Sequence, residues 1–216
     1  MEKILGRRFL LGVDLAKSMD FTSFAVIEMC FDPAIGDSVY HLVGLDRIRG
    51  VEYPIITKLI IDAFKSLSGQ YVQDGPHLCM DASGLGAPIR DYLKQADLFD
   101  YYKRSLFPVV FTGGESARFN PTSGNYNVSK TLIFSNLVSL MQHKRFDYAQ
   151  DLQALPMLEE EITNFKYHLT ASGHTTMDAV SGKHDDLLCC IAIPLMIAEW
   201  KYRDQAGMFE NIDLPR

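Results

Sequence analysis

Three acids stand where an apolar run gives way to a turn or a helix. Phe9-Leu10-Leu11-Gly12-Val13 ends on Asp14, and His77-Leu78-Cys79-Met80 ends on Asp81. Gly182-Lys183-His184 leads through Asp185 and Asp186 into the apolar stretch Leu187 to Ala198. The first two runs have the pattern of strands buried on both faces, whose last side chains emerge at the carboxyl edge of a sheet. Each acid has an ordinary explanation. Asp14 would serve as a turn cap, and Asp81 would precede a helix entrance built from Ser83, Gly84, Gly86 and Pro88. Asp185 and Asp186 would complement the dipole of the helix they begin. Gathered at one edge, however, such carboxylates raise one another's pKa unless divalent cations neutralise them. Hard oxygen donors suit Mg²⁺ or Mn²⁺. Two such ions, about 3.5 to 4 Å apart, activate a water on one side of a phosphate and stabilise the leaving oxygen on the other. The chemistry expected is phosphodiester hydrolysis.

The intervening segments must bring these acids together. Thr22 to Glu28 reads as a second strand returning antiparallel to the first after a short polar connection. Asp32 to Asp37 is a turn, and Ser38 to Ile48 a third strand, which completes a three-strand meander. Ile55, Ile56, Leu59, Ile60, Ala63, Phe64 and Leu67 recur near a 3.6-residue period, so Tyr53 to Leu67 reads as a helix crossing over to the strand that ends at Asp81. A helix from Pro88 to Ala96 and a fifth strand, Leu106 to Phe111, follow. Residues 113–125 are rich in turn formers and read as a surface loop. A helix is expected to begin at Asn127-Val128-Ser129-Lys130 and run through Met141, with a second helical piece over Asp151 to Phe165. Phe165 to Thr170 and Thr175 to Val180 flank a polar tip and read as a hairpin. The expected fold is α/β, with a central mixed five-stranded sheet flanked by helices and an extra hairpin before the last helix. Residues 1–203 would form one domain and 204–216 a loose tail.

The chain has 216 residues, 47% of them apolar and 22% charged, which is ordinary for a soluble globular domain. Its formal charge of −6 argues against a generally basic nucleic-acid coat, although clustered metal-binding acids would themselves contribute negative charge. Cys30, Cys79, Cys189 and Cys190 lack paired metal-ligand spacing, and three lie in apolar runs, so reduced core thiols in an intracellular protein are expected. The amino terminus has no signal-peptide pattern. Leu187 to Ala198 contains Pro194 and falls short of the roughly 20 residues that span a bilayer, so it reads as a core helix, with no membrane partner.

The order of elements resembles ribonuclease H-like folds, in which strands one and four are neighbours. More narrowly, three segments resemble the carboxyl-terminal nuclease domain of phage large terminase subunits. They are Gly12-Val13-Asp14-Leu15-Ala16 with Asp20 six positions on, Met80-Asp81-Ala82-Ser83-Gly84-Leu85-Gly86, and His184-Asp185-Asp186-Leu187-Leu188 followed by an alanine-containing helix. The resemblance spans most of the chain, in the family's order, with the hairpin before the last acid. It implies an endonuclease cutting concatemeric viral DNA during packaging, with Asp14, Asp81 and Asp186 as principal metal ligands and catalytic acids. Asp185 would serve with or instead of Asp186, and Asp20 resembles an additional nearby acid. Implied cofactors are two Mg²⁺ or Mn²⁺ ions. Implied partners are double-stranded DNA, an ATPase motor domain, a small terminase subunit and a portal, in the cytoplasm of a bacterial host. The Gly-x-x-x-x-Gly-Lys-Ser/Thr phosphate loop of a packaging ATPase does not occur in this chain.

Other residues have two readings each. His184 would orient a nucleophile or leaving group, or simply shape the helix entrance. Arg118, Lys130, Lys166 and Lys183 flank the expected mouth and would meet phosphates, or stay solvated charges. The hairpin, with its polar tip Ser172-Gly173-His174-Thr175, would gate or guide DNA. Alternatives are a junction-resolving or recombination nuclease of the same fold, marked by preference for branched DNA, and a sugar-kinase-like phosphotransferase. The phosphate-binding glycine turns of the latter are missing after Asp14. A nuclease-dead docking module is a third class, against which the three acids argue.

Overall fold

Alternate side chains of β1 (Arg8–Asp14) enter two different cores. Phe9, Leu11 and Val13 pack on one face and Leu10 on the other, which is why the strand is apolar throughout and not alternating. The computed structural model describes residues 7–15, 21–68, 75–84, 86–95, 105–169, 175–179 and 184–202.

β2 (Phe21–Asp32) returns antiparallel to β1, and β3 (Asp37–Arg49) pairs antiparallel with β2. Helix α1 (Tyr53–Ser68) then crosses to β4 (His77–Asp81), which runs parallel to β1 on its other side. The meander, the crossover and the juxtaposition of strands one and four follow the sequence reading. After α2 (Gly86–Gln95), β5 (Leu106–Thr112) adds parallel to β4.

The sheet is larger than expected, with eight strands in place of five. The supposed surface loop contains β6 (Ala117–Asn120) and the start of β7 (Asn125–Ser129), an antiparallel pair whose second strand runs parallel to β5. Four- and five-residue strands with mostly polar, half-exposed side chains carry too little alternation to stand out from turn formers. The helix expected from Asn127 starts later, at α3 (Lys130–Gln142), because Asn127 to Ser129 is still strand; Ser129 Oγ caps the helix by accepting the Leu132 N–H at 3.1 Å. The three-residue β8 (Phe146–Tyr148) pairs parallel with β3 and closes the other end. Among the described residues the order is β6-β7-β5-β4-β1-β2-β3-β8. Helix α4 (Leu155–Asn164) and the hairpin β9 (Phe165–Leu169) and β10 (Thr175–Ala179) precede the last helix, α5 (Asp186–Tyr202).

Helices α1 and α2 cover one face through Ile56, Ile60, Phe64, Ile89 and Leu93. On the other face α3 and α4 flank α5, every residue of which is buried from Leu187 to Trp200. A helix that is apolar all round belongs inside a protein, as this one does. Among the described residues no helix is long and apolar enough to cross a membrane. The carboxyl half of α5 is tied to β3 by a buried network: Tyr40 donates to Glu199 at 2.6 Å, and Arg145 donates to Glu199 at 2.6 and 3.0 Å and to Asp37 at 2.9 Å. Cys79, Cys189 and Cys190 are buried free thiols and Cys30 is partly buried. The expected tail, 204–216, lies outside the described residues.

Candidate active site

Strand periodicity decides which face each acid takes. In β1 the even-numbered Leu10 faces the core of α5, so Gly12 and Asp14 face it too. In β4 Leu78 and Met80 point to α1, whereas Cys79 points to α5, and Asp81 shares its side. The parallel register pairs Val13 with Met80, so the two acids leave neighbouring strands at the same level.

Gly12 lets α5 descend onto this edge. A Cβ there would stand 1.8 Å from the Cys190 carbonyl oxygen and 2.8 Å from Pro194 Cγ. The helix can therefore lie directly on β1, which carries its first turn, with Asp185 and Asp186, to Asp14. Burial holds the Asp14 carboxyl well above its usual range, and the negative charges of Asp81, Asp186 and Asp185 push it further in the same direction. A hydrogen bond from the Cys189 thiol opposes them. Burial also raises Asp81, against the hydrogen bond from Ser83, whose N–H lies 2.7 Å from Asp81 Oδ1, and against the charge of Lys130. Lys130, the first residue of α3, donates to Asp185 Oδ2 at 2.7 Å.

A buried carboxylate on which three neighbouring carboxylates act is part of a donor set that a hard divalent cation fits. As they stand, no three or more His, Cys, Asp or Glu side chains among the described residues form a group ready to hold an ion.

The other expected site residues are placed differently. His184 stands beside Asp186, Nδ1 to Oδ2 3.4 Å, with its ring edge-on to Phe21 at 5.3 Å between centroids. Arg118 is exposed on β6, the outermost strand, with β7, β5 and β4 between it and β1. Lys166 lies in β9 of the hairpin. Asp20 and Lys183 lie outside the described residues, as does the hairpin tip, 171–174.

One buried acid at this edge escaped the sequence reading. Glu161, 4% exposed, comes from α4 and accepts the Leu187 and Leu188 N–H groups through Oε2 at 3.0 and 3.1 Å. It thus supplies acceptors for two otherwise unpaired donors of the first turn of α5, and fixes the helix end that carries Asp185 and Asp186. Its Oε1 lies 3.4 Å from Arg47 Nη1. Burial is the main cause that pushes its carboxyl up to about 7. A signal existed: Glu161 occupies the third position of the buried stripe Leu155, Leu158, Glu161, where a solvated acid does not belong.

A mixed sheet with antiparallel first strands, β4 beside β1 and a buried last helix over the acids is a ribonuclease H-like architecture. Within that class, the chain has the fold of the large-terminase nuclease domains, as its motifs implied. It superposes on the large terminase nuclease from thermophilic phage G20c with bound magnesium at a TM-score of 0.55, with 20% identity, over 88% of this chain and 81% of that one. The human cytomegalovirus terminase nuclease domain, Mn soaked, gives 0.51 and 15% identity over 88% and 83%. In sequence, the chain is 23% identical over 185 residues to a large terminase subunit of Thermus virus P23-45, covering 86% of this chain. The chain spans 30% of the length of that curated relative. No family model matches.

Proposed function

We propose that this chain is the nuclease part of a viral packaging machine, a divalent-metal-dependent endonuclease that cuts double-stranded DNA concatemers. The observation that carries the reading is the approach of α5 to the carboxyl ends of β1 and β4, which places Asp185 and Asp186 in electrostatic contact with Asp14 beside Asp81. The likeness in fold to the phage G20c large terminase nuclease with bound magnesium supports it.

In this reading Asp14, Asp81 and Asp186 hold two Mg²⁺ or Mn²⁺ ions, with Asp185 as an adjoining ligand and Asp20 and His184 in support. When bound, such ions would activate a water and stabilise the charge on the leaving oxygen. The chain's own residues set the conditions for that chemistry. The hydrogen bond from the Ser83 N–H fixes one Asp81 oxygen, Glu161 fixes the end of α5, and Lys130 brings a cation into the acidic cluster. Arg118, Lys166 and Lys183 add phosphate contacts. Residues 1–203 act as the nuclease domain, and an ATPase motor domain, a small terminase subunit and a portal are its partners in the cytoplasm of the bacterial host.

Plasmid nicking tests the reading, with Mn²⁺ binding measured in parallel by calorimetry. Mn²⁺ or Mg²⁺ should convert supercoiled DNA to nicked and linear forms, and EDTA should prevent it. Cleavage that persists in metal-free protein would exclude the mechanism, and preferential cutting of branched over linear duplexes would favour a junction resolvase.

A further inference from the structure

On the α5 face of the sheet, Asp14 is register-paired with Ser23, and Ser23 with Arg47. With strands about 4.8 Å apart, Arg47 stands about 10 Å from Asp14 across the sheet. Two residues farther toward the same edge, Phe21 pairs with Arg49. Strand alternation keeps Phe21, Ser23, Arg47 and Arg49 on one face, because Ala25 and Leu45 of the same strands lie in the core of α5. The Phe21 ring gathers positive charge: the Arg47 guanidinium carbon is 4.2 Å from its centroid, that of Arg49 5.4 Å, and the His184 ring meets it edge-on. In a chain with a formal charge of −6, two guanidinium groups are thus assembled on one ring near the acidic cluster. An aromatic face attracts a guanidinium and helps to position it.

We propose that Phe21, Arg47 and Arg49 form a phosphodiester-holding subsite that grips the nucleic-acid backbone flanking the bond to be cut. The inference rests on the nuclease reading and adds to it where the strand lies: across β1, β2 and β3, away from β4. The backbone of Arg47 lies two strand spacings, about 10 Å, from Asp14, so a phosphate held there flanks the acidic cluster. Bidentate guanidinium-phosphate pairing gives the contact direction as well as charge. Glu161 touches Arg47 at 3.4 Å, and Arg47 is mostly buried, whereas Arg49 is exposed. Asp46, the acid between β3 residues of this row, points to the opposite face by strand alternation.

The test is fluorescence anisotropy of a labelled duplex with the full chain in EDTA, across a series of salt concentrations. Each lost phosphate contact makes the slope of log K against log salt less steep by about 0.9. Arg49→Ala should remove about one such increment and the Arg47→Ala/Arg49→Ala pair about two, while Arg49→Lys should retain the charge-dependent slope. Circular dichroism melts check folding of the double variant. Arg49 is exposed, so Arg49→Ala alone decides the matter if the pair unfolds. Parental slopes in Arg49→Ala, with wild-type binding intact, would overturn the subsite and leave the nuclease reading standing. Absence of wild-type DNA binding at low salt would overturn both.

Discussion

Glu161 holds the amino end of α5 at a cost that depends on pH. Its carboxyl has a pKa of about 7 in the folded protein, against 4.5 for an ordinary glutamate, with burial as the first cause and the charge of Asp186 adding to it. Between these values the unfolded chain has released a proton that the folded chain keeps, so rising pH favours unfolding. The penalty is absent below about pH 4.5 and complete above about pH 7; the difference of about 2.5 units corresponds to at most about 3 kcal/mol. Glu161→Gln removes the titration and keeps a carbonyl oxygen able to accept from the Leu187 and Leu188 N–H groups. Its stability relative to wild type should therefore improve as pH rises from about 5 to about 8, approaching that ceiling. Glu161→Ala removes the acceptor as well, leaving two buried donors unsatisfied, and should cost about 1 to 3 kcal/mol even at acidic pH. Urea unfolding in EDTA across this range measures both. A gap between Glu161→Gln and wild type that does not change with pH would refute the argument that a buried, strained carboxylate caps α5.

Asp14→Asn and Asp81→Asn should each abolish metal-dependent nicking while raising the melting temperature of the metal-free protein, because an amide is a poorer cation ligand and relieves carboxylate repulsion; wild-type turnover by either variant removes that residue from the site. Gly12→Ala would place a Cβ 1.8 Å from the Cys190 carbonyl oxygen and should cost on the order of 3 kcal/mol in chemical denaturation. An unaltered unfolding midpoint would mean that α5 does not lie on β1 at that point. Shortening the β9–β10 tip to Asn-Gly should preserve folding yet change the cutting rate or the salt dependence of DNA binding. If neither changes, the hairpin is a connector.

Local pattern was enough for much of this molecule. An apolar run ending on an acid marked β1 and β4, because a strand covered on both faces must be apolar until it leaves the core. The period of α1 and the all-round apolarity of α5 were equally plain, since each reflects one element's own surroundings. Short elements were not legible. The four residues of β6 and three of β8 have no period to read, and their strand character comes from hydrogen bonds to β7 and β3.

The arrangement around the acids belongs to the folded chain alone. Which faces Asp14 and Asp81 take depends on the register of β1 against β4, and how near Asp186 comes depends on Gly12 admitting α5. Glu161 reaches the Leu187 N–H from 26 positions away, and Lys130 meets Asp185 across 55. Such pairings arise because distant segments pack against a common sheet, and no local composition specifies them. The residue types at 14, 81, 185 and 186 pointed to a metal-binding chemistry as an expectation, while packing decided that the charges of Asp81, Asp185 and Asp186 act on Asp14.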